Sequence, residues 1–180
     1  MKKHLVIISG FIATGKSTLL DYIKTHYNVK AYSKDVYKEK LVETEGYRSR
    51  EENKALSIRA VNDIFNAIME DFKQHALIVA EANFSKDELK RIVQYCKKDD
   101  IDTTVIMLTL DEKLLYKRYS TRYSRLHEAH RSIPLLTREV FTRALREYEE
   151  SISFYVTEVI NADEVLDMKK SLDYIFVSND

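Results

Sequence analysis

The sequence predicts an α/β protein in which helices cover both faces of a parallel sheet. Apolar runs of strand length recur at Leu5–Ser9, Val29–Tyr32, Ala76–Glu81 and Thr103–Leu110. The stretches between them carry apolar residues at helical spacing, and alternation of strand and helix is the pattern of a parallel sheet in a three-layer α/β/α arrangement. The third observation is local. Of the three glycines, Gly10 and Gly15 fall in one short turn directly after the first apolar run, where a strand must bend sharply into a helix and backbone freedom is needed.

Taken in order, MKKHLVIISG begins like a leader, but its apolar run is short and leads straight into the glycine turn without a cleavage region. It is expected to be the first strand. A helix follows from Thr18, then the second strand and a helix over Val36–Glu43. The segment from about Glu51 to Lys73 places Val61, Ile64, Phe65, Ile68 and Phe72 on one helical face. After the third strand, Ser85-Lys86-Asp87-Glu88 has the form of a capping box, in which serine and glutamate satisfy each other's free backbone N–H groups. The helix it starts carries the stripe Leu89, Ile92, Val93, Cys96, so the cysteine reads as core. Asp111 is placed to cap a helix running towards Leu126. Thr137 is placed to cap another with Phe141, Ala144, Leu145, Tyr148 and Ile152 on one side. A fifth strand is expected near Glu164–Met168, because Val165-Leu166 is the short apolar run left over, and a final helix around Lys170–Phe176.

Composition narrows the function classes. With 180 residues the chain is expected to form one domain, residues 1–180, with a lid at approximately 118–136. Lysine plus arginine and aspartate plus glutamate each number 29, so no overall field draws the protein to nucleic acid or anionic lipid. The single Cys96 excludes an internal disulfide. No run approaches the roughly 18 apolar residues of a membrane span, and a cytoplasmic protein without a membrane partner is expected.

Gly10-Phe11-Ile12-Ala13-Thr14-Gly15-Lys16-Ser17 matches G-x-x-x-x-G-K-[ST] in full. Such a turn, held between a buried strand and a helix N-terminus, points backbone N–H groups at phosphate. The nucleotide-binding set is therefore Gly10, Ala13, Thr14, Gly15, Lys16, Ser17 and Thr18. Lys16 is suited to the β and γ oxygens of a triphosphate, and the Ser17 hydroxyl to Mg²⁺. Glu81 ends the third strand, where an acid is placed to hold the Mg²⁺ shell or to be a solvated turn residue. Asp35 follows the second strand, where a carboxylate suits an attacking hydroxyl and equally suits a helix cap; the two uses are compatible.

Arg118, Arg122 and Arg125 stand at i, i+4 and i+7. They form one stripe beside the apolar stripe Leu115, Tyr119, Tyr123, Leu126, given about 100° per residue. Three guanidiniums on one face repel unless an anion compensates, and a transferring phosphoryl group would do so. For each arginine alone a solvated surface role is an equal alternative. His127, His130 and Arg131 carry the basic run into the loop Ser132–Leu136, which reads as a mobile lid. The two histidines have no second pair of Cys or His at ligand spacing, which argues against zinc. Basic residues interleave with aromatics at Tyr116–Tyr119 and Arg122-Tyr123, a weak mark of a nucleic-acid acceptor.

Together, GFIATGKST at Gly10–Thr18, YSKDVYKEKL at Tyr32–Leu41, IVAEANFS at Ile78–Ser85 and RYSTRYSRLHEAHR at Arg118–Arg131 resemble the small P-loop kinases of the zeta-toxin, chloramphenicol phosphotransferase and polynucleotide-kinase type. The resemblance implies a P-loop NTPase with a five-stranded parallel sheet of nucleoside-kinase type and a helical lid. It implies ATP and Mg²⁺ as cofactors and transfer of the γ-phosphoryl group to a hydroxyl. By position it makes Asp35 the acceptor-side carboxylate, Glu81 the acid after the third strand, Asn83 an acceptor or metal-water contact, and Arg118, Arg122, Arg125 and Arg131 the lid arginines. The chain departs from the pattern with His-Glu-Ala-His at 127–130, where close relatives often carry Pro-Gly. A GTPase is disfavoured by the lack of Asp-x-x-Gly and Asn-Lys-x-Asp signatures. The expected acceptor is a small molecule or nucleotide. Rival readings are a 5′-hydroxyl polynucleotide kinase and an ATP-dependent switch without an acceptor.

Overall fold

The structure, a computed structural model, describes residues 2–131, 133–163 and 165–177. Its sheet consists of β1 (Lys3–Ser9), β2 (Lys30–Ser33), β3 (Leu77–Glu81), β4 (Ile101–Thr109) and β5 (Glu158–Asn161), in spatial order β2-β3-β1-β4-β5 with every pair parallel. The helices are α1 (Lys16–His26), α2 (Lys34–Glu45), α3 (Arg50–Asp71), α4 (Lys86–Lys98), α5 (Glu112–Tyr123), α6 (Arg138–Ile152) and α7 (Val165–Val177), with short 3₁₀ turns at Glu128–His130 and Ser153–Tyr155. The expected five-stranded parallel architecture is present.

β1 lies at the centre and is buried on both faces, which is why it reads as an unbroken aliphatic run and not as an alternation. Leu5, Val6, Ile7 and Ile8 are at most 1% exposed. Each such side chain contributes on the order of 1.5–3 kcal/mol. Leu5 and Ile7 point into one core with Val61, Ile64 and Ile68 of α3 and Leu89, Ile92 and Cys96 of α4. Val6 and Ile8 point into the other, with Leu19, Leu20 and Ile23 of α1 and Leu172, Ile175 and Phe176 of α7. Those two cores make the three layers.

Helix starts follow local chemistry. Ser85 Oγ accepts from the Glu88 N–H while the Glu88 carboxylate accepts from the Ser85 N–H, so the capping box forms as expected. Asp111 accepts from the N–H groups of Lys113 and Leu114 at 3.0 Å, and Thr137 accepts from Val140. α1 differs: it begins after Gly15, in a left-handed conformation at φ 99°, with no side-chain cap. Its first N–H groups are left for another acceptor.

Three expectations need correction. The fifth strand is Glu158–Asn161, and Val165-Leu166 instead opens α7; Glu164 lies outside the described residues. β5 is an edge strand in register with Ile106–Thr109. Ile160 is buried while Val159 is 58% exposed, so β5 presents no apolar run to find. Asp35 is not the cap of α2. That helix starts at Lys34 after Ser33, which puts Asp35 in its first turn. The arginine stripe is also shorter than spacing suggests, because α5 ends at Tyr123 and Arg125 sits in the turn beyond it.

Candidate nucleotide and acceptor site

At the carboxyl ends of the strands, where the chain leaves β1 for β2 on one side and reaches β4 and β5 on the other, lies a cleft of about 800 Å³. Open α/β sheets place ligands at such a switch point. Its floor is the loop between β1 and α1. Gly10 has φ 151°, and a Cβ there would stand 2.6 Å from the Leu108 carbonyl oxygen, so only glycine lets the loop pass β4. Ala13 also adopts a positive φ, 68°. Thr14 is fully buried and donates its hydroxyl to the Phe11 carbonyl at 2.9 Å; Lys16 Nζ donates to the same carbonyl at 2.9 Å. The loop is thus closed on itself, with the Lys16 ammonium folded across it.

Below the loop, the Tyr148 hydroxyl of α6 accepts from the Gly10 N–H at 3.3 Å and shares a 2.8 Å hydrogen bond with Ser9 Oγ. Its ring packs on Phe11, and burial raises its pKa to about 12. Tyr148 reads in sequence only as part of an apolar stripe. No local signal marks its hydroxyl, because the role depends on where α6 docks.

Glu81 is 1% exposed and pairs in register with Ser33 of β2 and Ile8 of β1. Ser33 Oγ donates to its Oε1 at 2.6 Å. Burial raises the Glu81 carboxyl pKa; Ser33 and the Lys16 ammonium oppose that shift. Burial likewise pushes the Lys16 ammonium down, with Glu81 and Asp35 pulling it up and Arg122 and Lys34 pushing it further down. Lys16, Glu81 and Asp35 therefore form one electrostatic group at the loop.

The opposite wall belongs to α2 and the segment after α5. Asp35, Lys38, Glu39, Val42 and Glu43 share a face of α2 at helical spacing, and the turn Glu128–His130 docks on it. Lys38 Nζ donates to the Ala129 carbonyl at 2.8 Å, as does Asn53 Nδ2 of α3 at 3.1 Å. His130 Nε2 lies 2.9 Å from Glu39 and 4.0 Å from Asp35, and His127 Nε2 lies 3.6 Å from Glu43. The Tyr47 hydroxyl donates to the Glu128 carbonyl at 2.9 Å. Ala129 is fully buried against Val42 and Leu56. Tyrosines of α5 hold the stretch between that turn and α6: Tyr123 donates to the Ile133 carbonyl at 2.9 Å, and Tyr119 accepts from the Leu136 N–H at 3.0 Å. These hydrogen bonds tether the segment after α5 as a strap; Ser132 within it lies outside the described residues.

Of the residues singled out in the sequence, Ala13, Gly15, Lys16, Ser17, Thr18, Asp35, Asn83, Arg122 and Arg125 line the cleft, whereas Arg118 and Arg131 do not. Gly10, Thr14 and Glu81 support it from beneath. His127 and His130 of the basic run line the cleft too, and sequence reasoning missed Lys34, Lys38, Glu39 and Ser57 as lining residues. The i, i+4 pair of lysines flanking Asp35 is the signal that marks two of them.

This sheet order, with the phosphate loop after the central strand and a strap over the cleft, defines a small P-loop kinase fold. The AAA domain family model matches residues 6–133, and the chain belongs to that family. No curated protein matches it. Among solved structures, a protein from Chloroflexus aurantiacus J-10-fl provisionally named a kinase is 18% identical, with a TM-score of 0.74 over 97% of each chain. Shikimate kinase from Bacteroides thetaiotaomicron is 15% identical, with a TM-score of 0.60 over 96% of this chain and 95% of its own. A chain of the Pnkp1/Rnl/Hen1 RNA repair complex is 20% identical, with a TM-score of 0.60 over 83% of this chain and 46% of its own.

Proposed function

We propose that the protein is an ATP-dependent kinase that transfers a γ-phosphoryl group to a hydroxyl of a small molecule or nucleotide. The observation that carries this reading is that Asp35 lines the same cleft as Lys16 and the phosphate loop. A nucleotide switch has no use for that carboxylate.

The residues present fit ATP and Mg²⁺. The uncapped N-terminus of α1 and the closely wound loop suit a phosphate, and Ser17 with Glu81 supplies the oxygen donors that Mg²⁺ prefers. Among the described residues no group of three His, Cys, Asp or Glu is arranged to hold a metal ion, which suits a cation that takes its other ligands from phosphate and water. When bound, MgATP supplies the transferable phosphoryl group. Lys16, with Arg122 and Arg125 from the far wall, neutralises charge on the phosphate oxygens. Asp35 would orient the acceptor hydroxyl and take its proton as the new P–O bond forms, the γ-phosphorus losing its bond to the β,γ-bridging oxygen, which leaves with ADP. Asn83, which lines the same cleft, is a hydrogen-bonding group for the acceptor. A small acceptor is supported by the strap tethered to α2, whose Ala129 and His130 line the cleft beside Asp35. Among the described residues no helix is long and apolar enough to cross a membrane.

Incubation with MgATP and a pooled set of nucleosides, sugars, antibiotics and 5′-hydroxyl oligonucleotides, read by product mass, tests the proposal. A product heavier by one phosphoryl group is expected with the wild type and not with Lys16→Ala. Asp35→Asn is expected to retain ATP binding while lowering transfer by about 10²-fold or more. Equal transfer by Asp35→Asn would remove Asp35 from the mechanism, and ATP binding without any product would favour the switch.

A further inference from the structure

Two lysines on the acceptor wall have no task in handling ATP. Lys34 and Lys38 are 9% and 8% exposed, yet both line the cleft on either side of Asp35. Lysine is rarely buried without a countercharge, because desolvating an ammonium is costly unless something compensates. Lys34 is paired at 3.4 Å with Glu88, a carboxylate as buried as itself, so its charge is balanced within the protein. Lys38 is bonded to the neutral Ala129 carbonyl, and no carboxylate of the described residues lies within 4.0 Å of its Nζ. Each ammonium has three donors and spends one. Burial pushes the Lys38 pKa down and the neighbouring Lys34 pushes the same way, while the Asp35 carboxylate opposes them in part.

The cleft as a whole has the same imbalance. Lys16, Lys34, Lys38, Arg122 and Arg125 face it against the carboxylates Asp35 and Glu39, although the chain has zero formal net charge. Lys16, Arg122 and Arg125 are accounted for by the nucleotide phosphates. The α2 lysines lie beside the proposed acceptor base instead, where the substrate's second functional group would sit.

We infer that the acceptor carries an anionic group, a carboxylate or a phosphate ester, in addition to the hydroxyl that is phosphorylated, and that Lys38 with Lys34 binds that group. The inference rests on the kinase reading for calling the ligand an acceptor, but the anion site itself does not depend on transfer. Bound there, the anion supplies the countercharge that Lys38 lacks, takes a free donor of Lys34, and fixes the substrate so that its hydroxyl faces Asp35. A neutral hydroxyl compound would leave the Lys38 ammonium without a countercharge, which selects against it.

The test loads the phosphate loop with Mg²⁺ and a non-hydrolysable ATP analogue, then titrates inorganic phosphate or acetate at constant ionic strength while following thermal stability and heat of binding. The wild type is expected to show a saturable second anion site, and the anion that saturates at lower concentration names the group. Lys38→Met is expected to weaken that site by about tenfold or more, and Lys38→Arg to restore most of it. Continued binding of the analogue shows that the variants are folded. A nucleotide-loaded wild type with no saturable anion site, or Lys38→Met binding the anion like wild type, would overturn the inference. In the transfer screen, matched hydroxyl compounds with and without an anionic group give a second readout: a neutral acceptor used equally well by wild type and Lys38→Met also overturns it. An intact anion site with no transfer to any acceptor would instead refute the kinase reading alone.

Discussion

Gly10 and Glu81 show how single residues set the site and how each can be tested. At Gly10 the backbone sits at φ 151°, and a Cβ would meet the Leu108 carbonyl at 2.6 Å and Thr14 Oγ1 at 3.0 Å. Neither strand nor loop can yield without disturbing the phosphate cradle. Gly10→Ala is expected to cost on the order of 2–4 kcal/mol, a fall of roughly 5–15 °C in melting temperature for a chain of this size. Glu81 tests the electrostatics. Its carboxyl pKa is raised by burial, so the folded protein holds that proton to higher pH than the unfolded chain does. The stabilisation is present at acid pH and is lost as pH rises through the raised value. Glu81→Gln cannot lose a proton and escapes that loss. Without metal or nucleotide, the variant should melt at nearly the wild-type temperature at about pH 4, and above it by a margin that grows towards about pH 8. Calorimetry across that range checks the sign; a margin that shrinks with pH would mean that the Lys16 attraction outweighs burial. The sequence displays Gly10 as the first residue of a fixed-spacing motif and Glu81 as the acid that ends an apolar run. Tyr148 it hides, since a hydroxyl that braces the loop from α6 is separated from Gly10 by 138 positions.

Among elements, those that are held by local chemistry are readable and those held by distant partners are not. The capping box at Ser85–Glu88 and the caps Asp111 and Thr137 form where expected, since donor and acceptor lie within three residues. β1, β3 and β4 announce themselves because burial on both faces demands continuous apolar residues. β5 does not, being an edge strand that inherits its register from β4. The docking of Glu128–His130 on α2 is also illegible, as Lys38 and Ala129 are 91 positions apart and the contact uses a backbone carbonyl. That docking makes a prediction at this scale. Tyr47→Phe removes one hydrogen bond, worth about 0.5–1.5 kcal/mol, from the strap alone. Hydrogen exchange in residues 127–131 should accelerate by roughly 2- to 10-fold while β1 is unaffected. Equal acceleration in both would mean that the strap opens only when the whole protein unfolds.

At the scale of the whole molecule, the sheet gathers dispersed charge into one place. Basic and acidic residues balance at 29 each, yet five lysine and arginine side chains face the cleft against two carboxylates. The rest of the surface therefore carries a compensating acidic excess, which stands alone once polyanions fill the cleft. Ligand binding thus changes the identity of the protein as a colloidal particle. Empty, the chain has no net charge at neutral pH to keep its copies apart, the condition under which proteins most readily self-associate. On the proposed reading, loading with MgATP and an anionic acceptor would make it a net anion with its basic pocket covered. Native electrophoresis near neutrality should show the loaded protein moving towards the anode relative to the empty one, and light scattering should show weaker attraction between copies. A nucleotide that fills the cleft would act as the protein's own solubilising counterion, linking occupancy of one site to dispersal of the whole population.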